Sequence, residues 1–468
     1  ARDLGLVSAQ DVLTNTTVIS GQQNTTGLTT VFQGSLAQAF STIGSSTPSL
    51  RGLGSSVTGR SRSLILIDGR RLGPIGVGGA PANPDVSMIP GSLIERTEIL
   101  LDGASSVYGS DAVGGVINYI MRKEFDGVEL SAQTSQSQYG WGLNKVISLA
   151  TGLDSDRGFV SFAMELNEQD EVTIGDIYSD FWGTGATGVL CNTSIGEFDD
   201  GSRVEVCDDT PAGFIVSSTG TIVSETGAEP TTAIPGAPGF FFRDGSFFRP
   251  VDDPSITGFP QNLTETYLPD IKRTSFFVTG EYAVADNHDF FFEGMFANRE
   301  LKNTSWNQQV LAYSVDTAFN PFGNAGLFVY PEKSGVEQEI DVARLVGGVR
   351  GDLPDIGFGE NWGYEVFVQA HRSTGFQNRG PFLHEERLVQ GLSATPDPVT
   401  GDLSCALDVG DTFFGFDQNG SPLNCVPLNP FVASFLQRGE FATQAENEYA
   451  YGYAGVQTRV EQNIAGGY

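Results

Sequence analysis

The segment His384-Glu385-Glu386-Arg387-Leu388 opens as a zinc-protease HExxH helix would, with one histidine for the metal and a glutamate as base. Leu388 stands where the second histidine is needed, so two-histidine ligation fails. Only three histidines exist, His288, His371 and His384, too few and too scattered for another metal cluster. There is no GxSxG nucleophile elbow and no phosphate-binding P-loop. Carboxylate pairs are abundant, but in a chain with 57 acidic residues they carry little information. The chain is therefore read as a non-enzyme with no metal and no cofactor. The four cysteines fall into two local pairs, Cys191 with Cys207 and Cys405 with Cys425, each closing a loop rich in Gly, Asp, Asn and Pro. Even number, local pairing and loop setting predict two disulfides formed in an oxidising compartment.

Binding chemistry is better represented. The stretch 170–271 carries Trp182, Phe240, Phe241, Phe242, Phe247 and Phe248, with Arg243 and Arg249 among them. Aromatics interleaved with arginine can stack on a ring-bearing or sugar ligand; they can equally pack a loop subdomain closed by Cys191 and Cys207, and both readings stay open. Charge is divided unevenly. Residues 1–125 hold nine basic and nine acidic side chains, while the remainder holds 48 acidic and 17 basic, hence the whole net charge of −31. Nucleic acid is excluded as a partner, because phosphate contacts need a basic surface. The acidity keeps long exposed loops solvated, or draws cations to a loop mouth.

These residues must be positioned by strands. Mean hydropathy is −0.11 and no run of 18 apolar residues occurs, which excludes a transmembrane helix but not a barrel, whose strands show lipid only every second side chain. Gly34–Phe40 reads as a short helix, and Leu64–Asp68 as a buried strand entering a tight turn at Asp68-Gly69. Residues 72–87 read as a loop, followed by strands over Ile94–Leu101 and Val116–Met121. From residue 126 onward, apolar and polar residues alternate over long segments, as in Val160, Phe162, Met164 and Leu166 against Ser161, Ala163, Glu165 and Asn167. About nine such strands are expected: 127–136, 143–152, 157–169, 272–284, 288–300, 340–350, 361–374, 380–392 and 446–460. Short spacers at 137–142 and 285–287 contrast with long ones at 170–271, 301–339 and 393–445, the pattern of an outer-membrane barrel. Tyr449, Tyr451 and Tyr453, at period two, are expected to share one face at a membrane interface. A large soluble β-sandwich is the alternative, disfavoured by strand length and by the long insertion.

The most specific signal is an ordered series: SLRGLG at 49–54, LILIDGRRL at 64–72 and IPGSLIERTEILLDGASSVYGSDAVGGVINYIMRK at 89–123. It resembles the plug domain of TonB-dependent outer-membrane receptors. The resemblance implies a mostly β chain, with a mixed α/β plug domain over 1–125 inside a large antiparallel transmembrane β-barrel, whose N-terminal part would occupy 126–468. The plug motif would comprise Arg51, Asp68, Gly69, Arg70, Glu95, Arg96, Glu98, Gly103, Tyr108, Gly109, Gly114, Gly115 and Asn118. Glycines there allow positive φ and close strand approach. Glu95, Arg96 and Glu98 need partners if buried; by resemblance they pair with the inner barrel wall, and a local ion pair within the plug is the alternative. The loop Gly73–Pro84 would face outward, so that Pro74, Ile75 and Asn83, with Trp182, Phe241 and Arg243, are the candidate substrate-lining residues. The family barrel has 22 strands, and a sheet of about nine would leave two open edges in lipid. The chain is accordingly read as a fragment of a longer polypeptide, or as completed by a second chain. Residues 1–20 supply no clear Ton box, and the ending AGGY lacks the alternation of a final strand. The implied function is uptake of a scarce substrate across the bacterial outer membrane, with the periplasmic TonB protein and its inner-membrane motor, outer-membrane lipid and a small molecule or oligosaccharide as partners. Siderophores, cobalamin, haem and oligosaccharides all fit the resemblance; haem is least supported, with three histidines. A passive or adhesive barrel with a structural plug, and a secreted β-rich hydrolase, are the rival readings.

Overall fold

The computed structural model describes residues 44–51, 53, 62–77, 83–101, 105–123, 125, 127–173, 175–177, 265–313, 318–319, 326–353, 362–380, 383–396, 399–405, 425–430, 440–451 and 456–467, and short strand segments at 22–23, 192–197, 203–208, 221–224, 241–242 and 249–250. The N-terminal domain is built on four strands, β1 (Ser63–Ile67), β2 (Arg70–Arg71), β3 (Ile94–Leu100) and β4 (Gly115–Met121), in the order β2-β1-β4-β3. The apolar run of β1 is buried throughout and pairs in parallel with β4, as a central strand covered on both faces must. Asp68 and Gly69 both take positive φ, 48° and 80°, making the tight turn that joins β1 to β2. β3 mixes charge with Ile94 and Ile99, and it lies at the sheet edge with its charged residues exposed. The Gly34–Phe40 helix expected from sequence lies outside the described residues.

Among the described residues that follow, eight long strands share one sheet with the short segments Thr221–Ser224, Phe241–Phe242 and Arg249–Pro250: β5 (Gly127–Ser135), β6 (Asn144–Ser155), β7 (Gly158–Gln169), β8 (Asp270–Ala285), β9 (His288–Tyr313), β10 (Gly326–Asp352), β11 (Gly363–Arg379) and β12 (Val456–Gly467). Each long strand pairs antiparallel with the long strands next to it in sequence, so these eight form an up-and-down meander. The short turns at 156–157 and 286–287 lie at one end, and the long connections 170–269 and 380–455 at the other. Alternation sorts the faces. On β9, Glu293, Met295, Ala297, Arg299 and Leu301 point inward and are buried, while Phe290 and Phe296 point outward and are exposed. Leu130, Ile147, Leu153, Phe162, Leu345 and Val368 continue that outward band on neighbouring strands. A wide apolar surface on a folded sheet is the signature of a lipid contact. The inward face is continuous with the core of the N-terminal domain: Ile65, Ile67, Ile117 and Tyr119 form one cluster with Ala163, Phe277, Met295 and Ile340.

Four expectations are corrected. Strand 380–392 is instead a helix, α1 (Glu385–Leu392), with Leu388 and Leu392 buried one turn apart and two glutamates at its positive N-terminal end. The segment 446–460 begins as a second helix, α2 (Gln444–Tyr451), so Tyr449 and Tyr451 follow a helical period and form no strand-face girdle; Tyr453 lies outside the described residues. The helix starts at a capping box: Thr443 Oγ1 accepts from Glu446 N at 3.2 Å, and Thr443 N donates to Glu446 Oε2 at 2.8 Å. The chain's end does carry a strand, β12, in which Val456, Val460 and Ile464 alternate with polar residues up to the small residues of its last positions. The connection 301–339 is largely strand as well: β9 and β10 run for 26 and 27 residues, far beyond the ~9–11 needed to cross a membrane, so their hairpin projects past the rim. No helix among the described residues is long and apolar enough to cross a membrane.

Candidate functional site

The β1–β2 turn delivers Arg70 into the wall. Its Nη1 lies 2.5 Å from Glu293 Oε1 on β9, and its Nη2 2.7 Å from Glu365 Oε1 on β11. The guanidinium sits over the Phe291 ring at 4.3 Å and the Phe367 ring at 5.1 Å. Arg70 and Glu293 are 6% and 4% exposed, so this cation is held in an aromatic and carboxylate box with little water. Glu293 also takes Arg344 Nη1 at 3.0 Å, which places one carboxylate between a guanidinium from each domain. Beside it, Asp68 Oδ1 accepts from Met121 N at 3.0 Å, and burial raises the Asp68 carboxyl above its ordinary pKa.

A second lock lies further from the short-turn end. Asp85 accepts from Ser46 N at 2.9 Å, Ser87 N at 3.0 Å and Ser87 Oγ at 2.7 Å, and it pairs with Arg299 of β9. Both members of that pair are essentially sealed from solvent. Arg299 also donates to Gly44 O at 2.9 Å, and Arg273 donates to the same oxygen at 3.0 Å. Between the two locks, residues 70–77 climb along β11 in step with its inward side chains. Gln369 Nε2 donates to Arg71 O at 2.7 Å, His371 Nε2 lies 3.1 Å from Pro74 O, and Gly375 leaves the space that Val77 and Gly76 fill. A Cβ on Gly73 would strike the His371 ring, so glycine is required for this approach. On the far side, Gly91 N donates to Glu165 Oε1 at 3.2 Å, and Arg122 pairs with Glu129 at 2.9 Å. Polar groups and ion pairs thus hold the N-terminal domain to the wall around a shared apolar centre.

Residues 6–116 match the family model described as the TonB-dependent Receptor Plug Domain. The chain carries the plug domain of a TonB-dependent receptor. Receptors of this family are outer-membrane transport proteins, and the bacterial outer membrane is the compartment of this chain. Similar solved structures include the ferric enterobactin receptor of Pseudomonas aeruginosa, with 13% identity, TM-score 0.32, and coverage of 71% of this chain and 43% of that one. The ferric preacinetobactin receptor of Acinetobacter baumannii gives 12% identity and TM-score 0.35, covering 81% and 46%. A siderophore receptor of Pseudomonas aeruginosa gives 12% and 0.27, covering 71% and 44%. At these scores the superpositions carry no residue or ligand correspondence. The chain spans less than half the length of each of these receptors.

The sequence motif of the plug gathers at one sheet edge. Gly69 N donates to Asn118 Oδ1 at 2.8 Å, Asn118 Nδ2 reaches Glu98 at 3.4 Å, and Arg96 bonds both Glu98 and Glu95 at 3.0 and 2.9 Å. Glu95, Arg96 and Glu98 are half exposed and pair locally, and among the described contacts none reaches the wall. Arg51 Nη2 donates to Val113 O at 3.3 Å, and Arg71 pairs with Asp111. Gly114 and Gly115 sit where a Cβ would meet the backbone of Arg62 and Leu100 respectively; Gly109 takes φ 83°, and Tyr108 is exposed on a helical turn. Gly103 lies outside the described residues. Of the candidate lining residues, Ile75 is a correction: it is 2% exposed in the plug core and faces no opening. Pro74 is engaged by His371, and Asn83 O accepts from Ile75 N at 3.0 Å. Trp182, Arg243 and the side chain of Phe241 lie outside the described residues. Cys425 is disulfide-bonded. Its pairing with Cys405, and that of Cys191 with Cys207, are proposed here from sequence. The residues that sequence reasoning missed are Asp85 on the plug and Glu293, Arg299, Arg344 and His371 on the wall.

Proposed function

We propose that the chain is the plug and first barrel portion of a receptor that takes up a scarce substrate across the outer membrane under TonB-driven force. The observation that supports this most is the character of the plug–wall contact. Arg70 and Asp85 hold the plug through ion pairs with Glu293, Glu365 and Arg299, rather than through an apolar interface alone. Breaking one partner of a buried pair costs about 3–5 kcal/mol, large enough for a closed resting state and within reach of an external pull. Residues 70–77 link the lock near the short-turn end to the loop that heads toward the long connections. Movement of the plug would open a polar path, and no covalent chemistry is required of the receptor. In this reading the substrate, a siderophore, an oligosaccharide or a molecule of similar standing, meets the plug apex and the loops, and TonB engages from the periplasm. Plug residues Glu95, Arg96 and Glu98 then serve the plug's own edge.

The test is accumulation of labelled substrates by cells expressing the full receptor, with ferric enterobactin and maltotriose as probes. Uptake of at least one that stops when TonB is deleted or the proton-motive force is collapsed is the expected result. Uptake that persists in both conditions would mark a passive barrel.

A further inference from the structure

His371 stands on β11 where plug residues Gly73 and Pro74 cross the wall. It is 3% exposed, and its ring occupies the space that a Cβ on Gly73 would need. Its Nε2 lies 3.1 Å from Pro74 O. A carbonyl oxygen only accepts, so Nε2 carries a proton, and a neutral ring then leaves Nδ1 as a bare acceptor. Nδ1 is buried and has no hydrogen-bond partner among the described residues. Opposite His371 on β10 is Arg344. Arg344 is fully buried, its Nη1 is committed to Glu293, and its Nε and Nη2 have no partner among the described residues.

An uncharged imidazole is not repelled by that guanidinium. A ring protonated at both nitrogens is, and in so dry a place little water screens the two charges. Among the described residues no neighbour offsets the repulsion. Gly73 and Pro74 of the plug, Gln369 and Ser373 on the same face of β11, and Ile464 opposite on β12 carry no charge. Glu293 of β9 is already shared between Arg344 and Arg70. Asp68, the other carboxyl of this cluster, accepts from Met121 N and responds to acid in the opposite sense. Burial raises its carboxyl above the ordinary pKa, so the stability it contributes is full in acid and is lost as pH rises. A plug contact that weakens in mild acid is therefore not the work of Asp68.

We propose that His371 is an acid-sensitive latch on the plug: with a neutral ring it holds Pro74 and the segment 70–77 against β11, and a proton added at Nδ1 sets it against Arg344 and loosens that segment. The proton comes from solvent when the segment opens transiently, and the charged ring then opposes reclosure. The latch depends on the plug–wall contact alone; on the uptake reading, it would let acid lower the work of displacing the plug.

The test is hydrogen exchange of the detergent-extracted full receptor at about pH 7.5 and about pH 5, which bracket histidine titration. Rates are corrected for the intrinsic effect of pH. The reporters are the amides of Leu72 and Ile75, which donate to Ile65 O and Asn83 O. Exchange across 70–77 quickens at least ~10-fold in acid, the equivalent of one unit of differential protonation. His371→Gln keeps an amide donor for Pro74 O but gains no proton, so its segment stays protected at both pH values. Heat-modifiable gel mobility reports whether each variant is folded. If His371→Gln does not fold, Arg344→Gln takes its place; it removes the facing charge and leaves Arg70 on Glu293, and most of the acceleration disappears. The proposal is overturned if acid does not quicken exchange in 70–77, or if the folded variant responds as the unaltered protein does. An intact acid response in a receptor whose uptake ignores TonB would count against the uptake reading alone.

Discussion

Arg70 is the residue on which the plug–wall contact turns, because its side chain couples to two wall strands and stacks on two rings. Arg70→Lys keeps the charge but loses the planar fork that serves both carboxylates. It should lower the stability of the docked plug by roughly 1–3 kcal/mol, and Arg70→Ala by about 3–5, read from the urea midpoint of plug release. Asp85→Asn should cost as much as Arg70→Ala, since Arg299 would remain buried without a counter-charge. A midpoint that did not move in these variants would mean the pairs do not hold the plug. A different residue sets a pH dependence. Burial pushes the Glu265 carboxyl up to about 7, at the foot of the short strand Thr266–Leu268 that pairs with Val172–Thr173. A folded pKa above the unfolded one means the protonated form is favoured in the fold. The stabilisation is therefore full below the ordinary pKa of 4.5 and declines as pH rises toward about 7. Amide exchange across the Val172–Leu268 pairing, corrected for intrinsic rate, should quicken between those limits, and Glu265→Gln should remove the change. At this scale the sequence was only half legible. Arg70 belongs to a recognisable motif, but its partners lie 223 and 295 residues away, and nothing local points to them. Asp85 carried a local signal in its position as a cap after Pro84, which the loop reading passed over.

Strand β11 and plug residues 70–77 act as a rail and its rider, and glycine sets how closely they run. Gly73→Ala would force the plug loop away from the His371 ring, an overpacking expected to cost about 1–3 kcal/mol. His371→Ala in the same chain should recover part of that loss, because the clash is with the ring. The double-mutant cycle on plug release measures the coupling, and additive effects would show that the two residues do not touch. Elements were easier to read than contacts where alternation was long. The strands at 157–169, 272–284 and 288–300 reappear in β7, β8 and β9 because one face meets the plug and the other meets lipid. Reading failed where a few residues fit both periods. In 385–392 two leucines four apart satisfy a helix, and in 444–451 a capping box outweighs the alternating tyrosines. β12 was missed for another reason: Val456, Val460 and Ile464 fall at alternate positions against Gln457, Arg459, Glu461 and Asn463, but the small residues Ala465, Gly466 and Gly467 at its end carry no hydropathy contrast.

For the whole molecule, the decisive pattern is the contrast between two faces of one sheet. The inward face carries Arg299, Arg344, Glu293 and Gln338, all buried against the plug and its surroundings, whereas the outward face carries the exposed Leu130, Leu153, Leu345 and Val368. In water the second face would be a liability for aggregation. In a bilayer it is the surface that holds the sheet at the right depth, and charged side chains such as Lys272, Glu300 and Glu337 begin where that band stops. Overall architecture was legible because each long strand repeats this division, while the projection of β9 and β10 beyond the rim was not, since polar strand and polar loop look alike in composition. A direct consequence follows for Leu345, which is 64% exposed in the middle of the band. Leu345→Arg should cost about 2–4 kcal/mol in refolding from urea into phospholipid vesicles, the depth-dependent penalty for a cation on a lipid-facing wall. The control is Lys302→Arg, at a charged position near the rim, which should change stability by less than about 1 kcal/mol. If the two variants refold with the same midpoint, the outward face does not meet hydrocarbon, and some other apolar partner must cover it.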